Sequence, residues 1–171
     1  MSRAAAEQPY AGERLSFTEA VRSASAWDHS LTWLLFKHPM DHTFLPGEET
    51  WYPSDSPTSQ FSAIFEDDGD TGYFYAGDRG RDEGSILDAV HIYNVRNVVD
   101  WEIDSKASII WSADGLKAAL LLNGYPHAVI DFEARRAYPR SNFPPPTGAW
   151  PAGERAPWND GLMQLFGGIR A

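Results

Sequence analysis

The densest run of groups able to hold a cation or a proton is Glu66-Asp67-Asp68-Gly69-Asp70. Carboxylates this close together could supply oxygen ligands to calcium or magnesium. The alternating aspartates and the terminal glutamate of a calcium loop are missing, however, and Asp with Gly is also what a tight hairpin needs. The run therefore reads first as a turn and second as part of an acidic, partner-facing patch with Asp78, Asp82 and Glu83; no metal is expected there. The five histidines stand at 29, 38, 42, 91 and 127. His38 and His42 have the spacing of zinc ligands on a helix, but Pro39 between them disfavours that helix and no H-E-x-x-H motif is present. His127 and Asp131 fall on one face of an extended segment, and with His91 they form the candidate acid–base set, although no nucleophile accompanies them. Cysteine is absent, which excludes disulfides, thiolate nucleophiles and thiolate metal sites. No G-x-S-x-G elbow occurs, and Gly77, Gly80 and Gly84 match neither a phosphate loop nor a dinucleotide fingerprint. No catalytic residue and no cofactor is assigned.

The elements that must position these groups are mostly strands. Ser16 and Glu19 form a capping box, and Phe17, Ala20, Val21, Ala24 and Trp27 follow at helical spacing, which predicts a helix over 17–28. Residues 31–36 read equally as helix or strand. From Asp41 to Thr58 four breakers, Pro46, Gly47, Pro53 and Pro57, imply loop with one short edge strand near 50–52. Strands are expected over 60–66 and 71–76 on either side of the acidic turn, and extended segments over 86–95 and 98–103, with a short helix as an alternative for 86–91.

Register makes the next stretch, 107–133, an antiparallel meander. Asp114-Gly115 is a hairpin turn that sets Trp111 opposite Ala118 and Ile109 opposite Leu120. At Asn123-Gly124 a two-residue loop would face Leu120 with His127. A three-residue loop faces Leu120 with Ala128, Ala118 with Ile130 and Lys117 with Asp131. Burial favours the second, since a slip of one residue turns every side chain over. Residues 139–157 hold six of the twelve prolines and read as a strap packed by Phe143 and Trp150, with a short helix near 159–166. The expected class is α+β, mainly antiparallel β: a disordered 1–14, then one domain over 15–171 with its β core at about 60–138.

Net charge is −10, and residues 59–104 carry eleven acids against three Arg. Such a field repels nucleic acid and anionic lipid, and speeds encounter with a basic partner. No apolar run approaches the roughly 20 residues needed to cross a bilayer, and Met1–Leu15 has no apolar signal core, so a cytoplasmic protein is expected. An aromatic left exposed beside the acidic segment would mark a protein-binding surface.

The phrases FEDDGDTGYFYA (65–76), ILDAVHIYNV (86–95) and WSADGLKAALLLNGYPHAVIDF (111–132) resemble a family of small bacterial proteins known as domain of unknown function 2251. The resemblance covers roughly 60–145 and implies a bacterial source and a compact β-rich domain, with no activity to carry over. The functional expectation is a non-enzymatic acidic protein that binds a basic partner, in particular an immunity protein neutralising a bacterial toxin. The alternatives are an enzyme, by default a hydrolase using His127, Asp131 or His91, and a structural or regulatory module. Oligomeric state stays open.

Overall fold

Period-two alternation of apolar residues, broken by Asp, Asn, Gly and Pro, yields nine strands in the computed structural model, which describes residues 41–81, 85–144, 150 and 155–166. They are β1 (His42–Phe44), β2 (Thr50–Asp55), β3 (Phe61–Asp67), β4 (Thr71–Asp78), β5 (Ser85–Asn94), β6 (Ser105–Trp111), β7 (Lys117–Leu122), β8 (Tyr125–Asp131) and β9 (Arg136–Pro139). All pairings are antiparallel, in two sheets ordered β1-β6-β7-β8-β9 and β2-β3-β4-β5. Alternate residues of both sheets meet in one core: Ala63, Phe65, Phe74, Ala76, Val90 and Ile92 from the second, Ile109, Leu120, Ala128 and Ile130 from the first. This is a sandwich of two sheets. Phe65 and Phe74 are wholly buried, and each contributes roughly 1.5–3 kcal/mol by leaving water.

The meander forms with the expected pairs. Trp111 faces Ala118, Ile109 faces Leu120, and Lys117 faces Asp131, with the Lys117 Nζ 3.9 Å from an Asp131 oxygen. The turn differs from expectation. Leu122 faces Tyr125, so the loop is the two residues Asn123 and Gly124, both at positive φ (52° and 78°). That conformation matches the twist of the strands it joins. A β-bulge between Leu120 and Leu121 then takes up one residue of β8 and restores Leu120 opposite Ala128. Burial decided the register and the turn decided its own chemistry; the bulge reconciles them.

Other expectations need correction. The mainly antiparallel β part of the expected class holds among the described residues, whose helical segments, Val95–Asn97 and Asp160–Phe166, are both 3₁₀; the α+β assignment as such is unconfirmed. The helix over 17–28, the segment 31–36 and the disordered 1–14 lie outside the described residues. Residues 86–91 belong to the long strand β5, so the helical alternative fails. Residues 98–103 pair with no strand and instead form the connection that carries the chain from one sheet to the other. The edge strand expected near 50–52 is present as the longer β2, with Pro53 at the outside of its sheet, where a missing N–H is tolerated; the rest of 41–58, expected as loop, also contributes the short β1.

Sheet β1-β6-β7-β8-β9 is apolar on its outer face too. Ile110, Ala119, Leu121 and Val129 are covered by Met163, with Trp158 and Leu162 packed around them. That explains why β7 reads as a continuous apolar run.

Candidate functional site

Strand direction sorts the turns into two groups. The connections 45–49, 68–70, 95–104 and 123–124 gather at one end of the sandwich, while 56–60, 79–81, 112–116 and 132–135 lie at the other. Asp67 fastens the first end. Its carboxylate accepts hydrogen bonds from Gly47 N–H (2.9 Å), Gly69 N–H (2.9 Å) and the Tyr93 hydroxyl (2.6 Å). Gly47 (φ 93°) and Gly69 (φ 94°) both stand in the left-handed region, where glycine is at ease. A Cβ on Gly47 would also press on the Val95 side chain at 3.1 Å. Val95 N–H in turn donates to Asp70 O at 2.9 Å, which ties the β3–β4 hairpin to the foot of the sheet-to-sheet connection. Burial, together with the bond to Asp67, pushes the Tyr93 hydroxyl far above its usual pKa and keeps it a donor.

On this frame the acidic turns converge. Glu48, Glu49, Asp68, Asp70, Asp100, Glu102 and Asp104 are all exposed, and Arg96 is the basic residue within the same turns. Asp68 stays ionised: burial works against its charge, but the N–H groups of Asp70 and Thr71 and the Thr71 hydroxyl outweigh it and lower its pKa. Between the acids the connection holds out three apolar side chains. Val99 is 90% exposed, Ile103 62% and Trp101 50%. Hydrogen bonds from Val98 N–H to Val95 O (2.9 Å) and from Ile103 N–H to Asp100 O (3.0 Å) give the connection a defined shape. Apolar side chains presented by a folded turn and fringed with charge have the anatomy of an interface core with a polar rim.

The acids singled out from sequence divide among different tasks. Asp67 is 1% exposed and fully engaged, so it cannot meet a partner. Glu66 accepts the Tyr75 hydroxyl at 2.6 Å on the outer face of its sheet, where burial and that bond raise the tyrosine pKa. Asp68 and Asp70 do belong to the exposed acidic end. Asp78 is buried at the opposite end, bonded to Gly80 N–H and paired with Arg81 at 3.2 Å; it is the last residue of the eight-residue β4, about 26 Å along the strand from Asp70. Asp82 and Glu83 lie outside the described residues. The segment 99–104 falls largely within a stretch expected to be extended, so its exposed apolar set was missed. The signal was present, since its apolar residues alternate with acids and no partner strand was available for them.

The acid–base set is not assembled. His127 and Asp131 lie on one strand on the order of 13 Å apart. Asp131 instead caps the turn through Ala134 N–H and approaches Lys117. His127 sits beside Tyr125, and burial, aided by the nearby Arg140, lowers its pKa and favours the neutral ring. His91 belongs to the other sheet, stacked between Tyr73 (4.9 Å) and Phe143 (3.9 Å), with Nε2 2.9 Å from Tyr93 O. His42 is in β1, stacked on Tyr52 at 4.9 Å, which removes the helical spacing; His38 lies outside the described residues. Among the described residues no three His, Asp or Glu gather to hold a metal, and no helix is long and apolar enough to cross a membrane.

These features define a mainly antiparallel β-sandwich protein with one acidic, apolar-tipped end. The chain belongs to the family described as "Uncharacterized protein conserved in bacteria (DUF2251)", whose profile matches residues 44–167. That span runs from the end of β1 through the closing 3₁₀ segment, so the strap and residues 44–59 are matched too, beyond the 60–145 that the sequence phrases suggested, while residues 1–43 lie outside the match. An uncharacterized protein of Haemophilus influenzae strain Rd is 44% identical over 86 residues, which is 50% of this chain and 53% of that relative. The match thus spans about half of the relative's length. No solved structure matches significantly.

Proposed function

We propose that this protein acts by binding, and that its docking surface is the connection 99–104 with the neighbouring turns at the acidic end. The observation that carries the reading is the exposure of Val99, Trp101 and Ile103 among Asp100, Glu102 and Asp104. Trp is among the residues that most often dominate binding energy, whereas rim charges act mainly on encounter rate and partner choice. The complementary partner is a basic protein with an apolar recess ringed by Lys or Arg. Neutralisation of a basic bacterial toxin, as an immunity protein, is the form of this reading that the net charge of −10 favours.

The test is affinity capture from the native host, followed by direct binding with the purified partner at low and high salt. The wild type is expected to hold a basic protein, with affinity falling as salt rises. Val99→Ala with Trp101→Ala and Ile103→Ala should weaken that binding at least about tenfold, while leaving the melting temperature unchanged. Capture undiminished by the triple substitution would sink the reading. A gene for a secreted toxin next to this one would strengthen its immunity form.

A further inference from the structure

The outer face of sheet β1-β6-β7-β8-β9 depends on a short cover. Ile110, Ala119, Leu121 and Val129 are kept from water by Met163, Leu162 and Trp158, which belong to the seven-residue 3₁₀ segment Asp160–Phe166 and the chain just before it. The hydrogen bonds of a 3₁₀ turn are poorer than those of an α-helix, so the cover relies on its anchorage. The anchor is Arg140. Its guanidinium lies over the Tyr125 ring at 4.2 Å and over the Trp158 ring at 4.9 Å. It also donates to Asp160 Oδ1 at 3.1 Å, the same oxygen that accepts the Trp158 Nε1–H at 2.7 Å. One cation thus ties β8 to the start of the cover.

Directly across from Arg140 stands His127. Arg140 N–H donates to His127 O at 2.9 Å, which carries the β8–β9 ladder one pair beyond Ala128 and Pro139. His127 is also the extra residue of the β8 bulge and has no counterpart in β7. Its ring meets Tyr125 edge to face at 5.9 Å. Among the described residues, the charged and titratable groups of this cluster are Tyr125 on β8, Arg140 beyond β9 and Asp160 on the cover. The charged residue of β7, Lys117, is at the opposite end of that strand beside Asp131. Burial, and after it the neighbouring Arg140, favours the neutral imidazole.

We propose that His127 is a pH-sensitive latch: its protonation sets two cations opposite each other on adjacent strands, loosens the Arg140 anchor and frees the cover 158–166 from the outer face of the sheet. Like charges directly opposite in a sheet repel. The Asp160 side chain is 83% exposed, so solvent screens its carboxylate and it offsets a second cation poorly. The cover is therefore held above the ordinary histidine range and loosens as pH falls through the lower value of the folded chain. Loosening bares the apolar strip of Ile110, Leu121 and Val129. The latch rests on the clamp around Arg140 and is independent of the docking reading, which rests on the connection 99–104.

The test is amide hydrogen exchange of the full chain at about pH 7.5 and about pH 5.5, corrected for the intrinsic rate, with 158–166 compared against the core strand β3. On acidification the wild-type cover should lose about two- to fivefold more protection than β3. His127→Gln should remove that difference. His127→Lys, which carries its charge throughout, should show the loosened cover already at the higher pH. Arg140→Gln should loosen the cover at both values, with no further response to acid. A cover that follows β3 in the wild type, or one that still loosens with acid in His127→Gln, overturns the proposal. Should either His127 variant not fold, the wild type and Arg140→Gln decide, and an acid response that survives the loss of Arg140 is equally fatal.

Discussion

The two ends of the sandwich are made from the same materials, Asp- and Gly-rich turns between short strands, yet they handle charge in opposite ways. At one end cations are placed among the acids. Lys117 Nζ stands 3.7 Å from Asp114, 3.9 Å from Asp131 and 3.6 Å from Glu133, Arg79 pairs with Asp55 at 3.2 Å, and Arg81 with Asp78 at 3.2 Å. At the other, six exposed acids (Glu48, Asp68, Asp70, Asp100, Glu102 and Asp104) share the turns with Arg96, Lys106 near the start of β6 pairs with Asp41 at 3.7 Å, and three apolar side chains stand among the acids. A turn neutralised in place serves the fold. A turn left charged and apolar-tipped brings self-repulsion and a sticky surface unless something outside the molecule answers it.

The largest effect should come from the acidic end's internal fastening. Asp67→Ala leaves the Gly47 and Gly69 N–H groups and the Tyr93 hydroxyl without their acceptor, and should lower unfolding free energy by about 3 kcal/mol in urea titration. An unchanged midpoint would show that the turns there hold one another without it. Next is the neutralised end. Lys117→Met leaves the largely buried Asp131 without its cation and should lower stability by about 1–2 kcal/mol, whereas Glu102→Gln at the acidic end should cost nothing measurable. Equal responses at both ends would erase the contrast between them.

The smallest effect is a pH dependence. Backbone N–H groups hold the Asp68 pKa in the folded chain below its ordinary value, so the fold prefers the ionised group. The stability this adds is present above the ordinary carboxylate range and is lost as pH falls through the lower, folded value. Asp68→Asn should therefore be less stable than the wild type at neutral pH, with the gap closing on acidification; a gap that widens would reverse the assignment. His127 acts in the same direction higher up the scale. Its folded pKa is depressed, the neutral ring is favoured, and stability should fall as pH drops below the ordinary histidine value, an effect that His127→Gln removes.

Much of the fold was legible because it is written in period-two alternation and in turn residues. Ile109, Trp111, Ala118, Leu120, Ala128 and Ile130 declare their face, and Asp114-Gly115 and Asn123-Gly124 declare their turns, so the meander's register follows from burial alone. The bulge that lets a two-residue turn coexist with that register did not show, because no residue type marks it. The sequence also determined the net charge and the absence of thiol chemistry, which need no coordinates. Only the tertiary structure decided where the charge goes. Strand direction alternates, so acids close in sequence, such as Asp70 and Asp78, arrive at opposite ends. Glu48, Asp68 and Glu102, far apart along the chain, reach the same end only through the pairing and packing of the strands between them. The partnership of Arg155 with Asp88, 67 residues apart, was likewise beyond any local pattern, because a buried ion pair leaves no periodic trace in the chain that forms it.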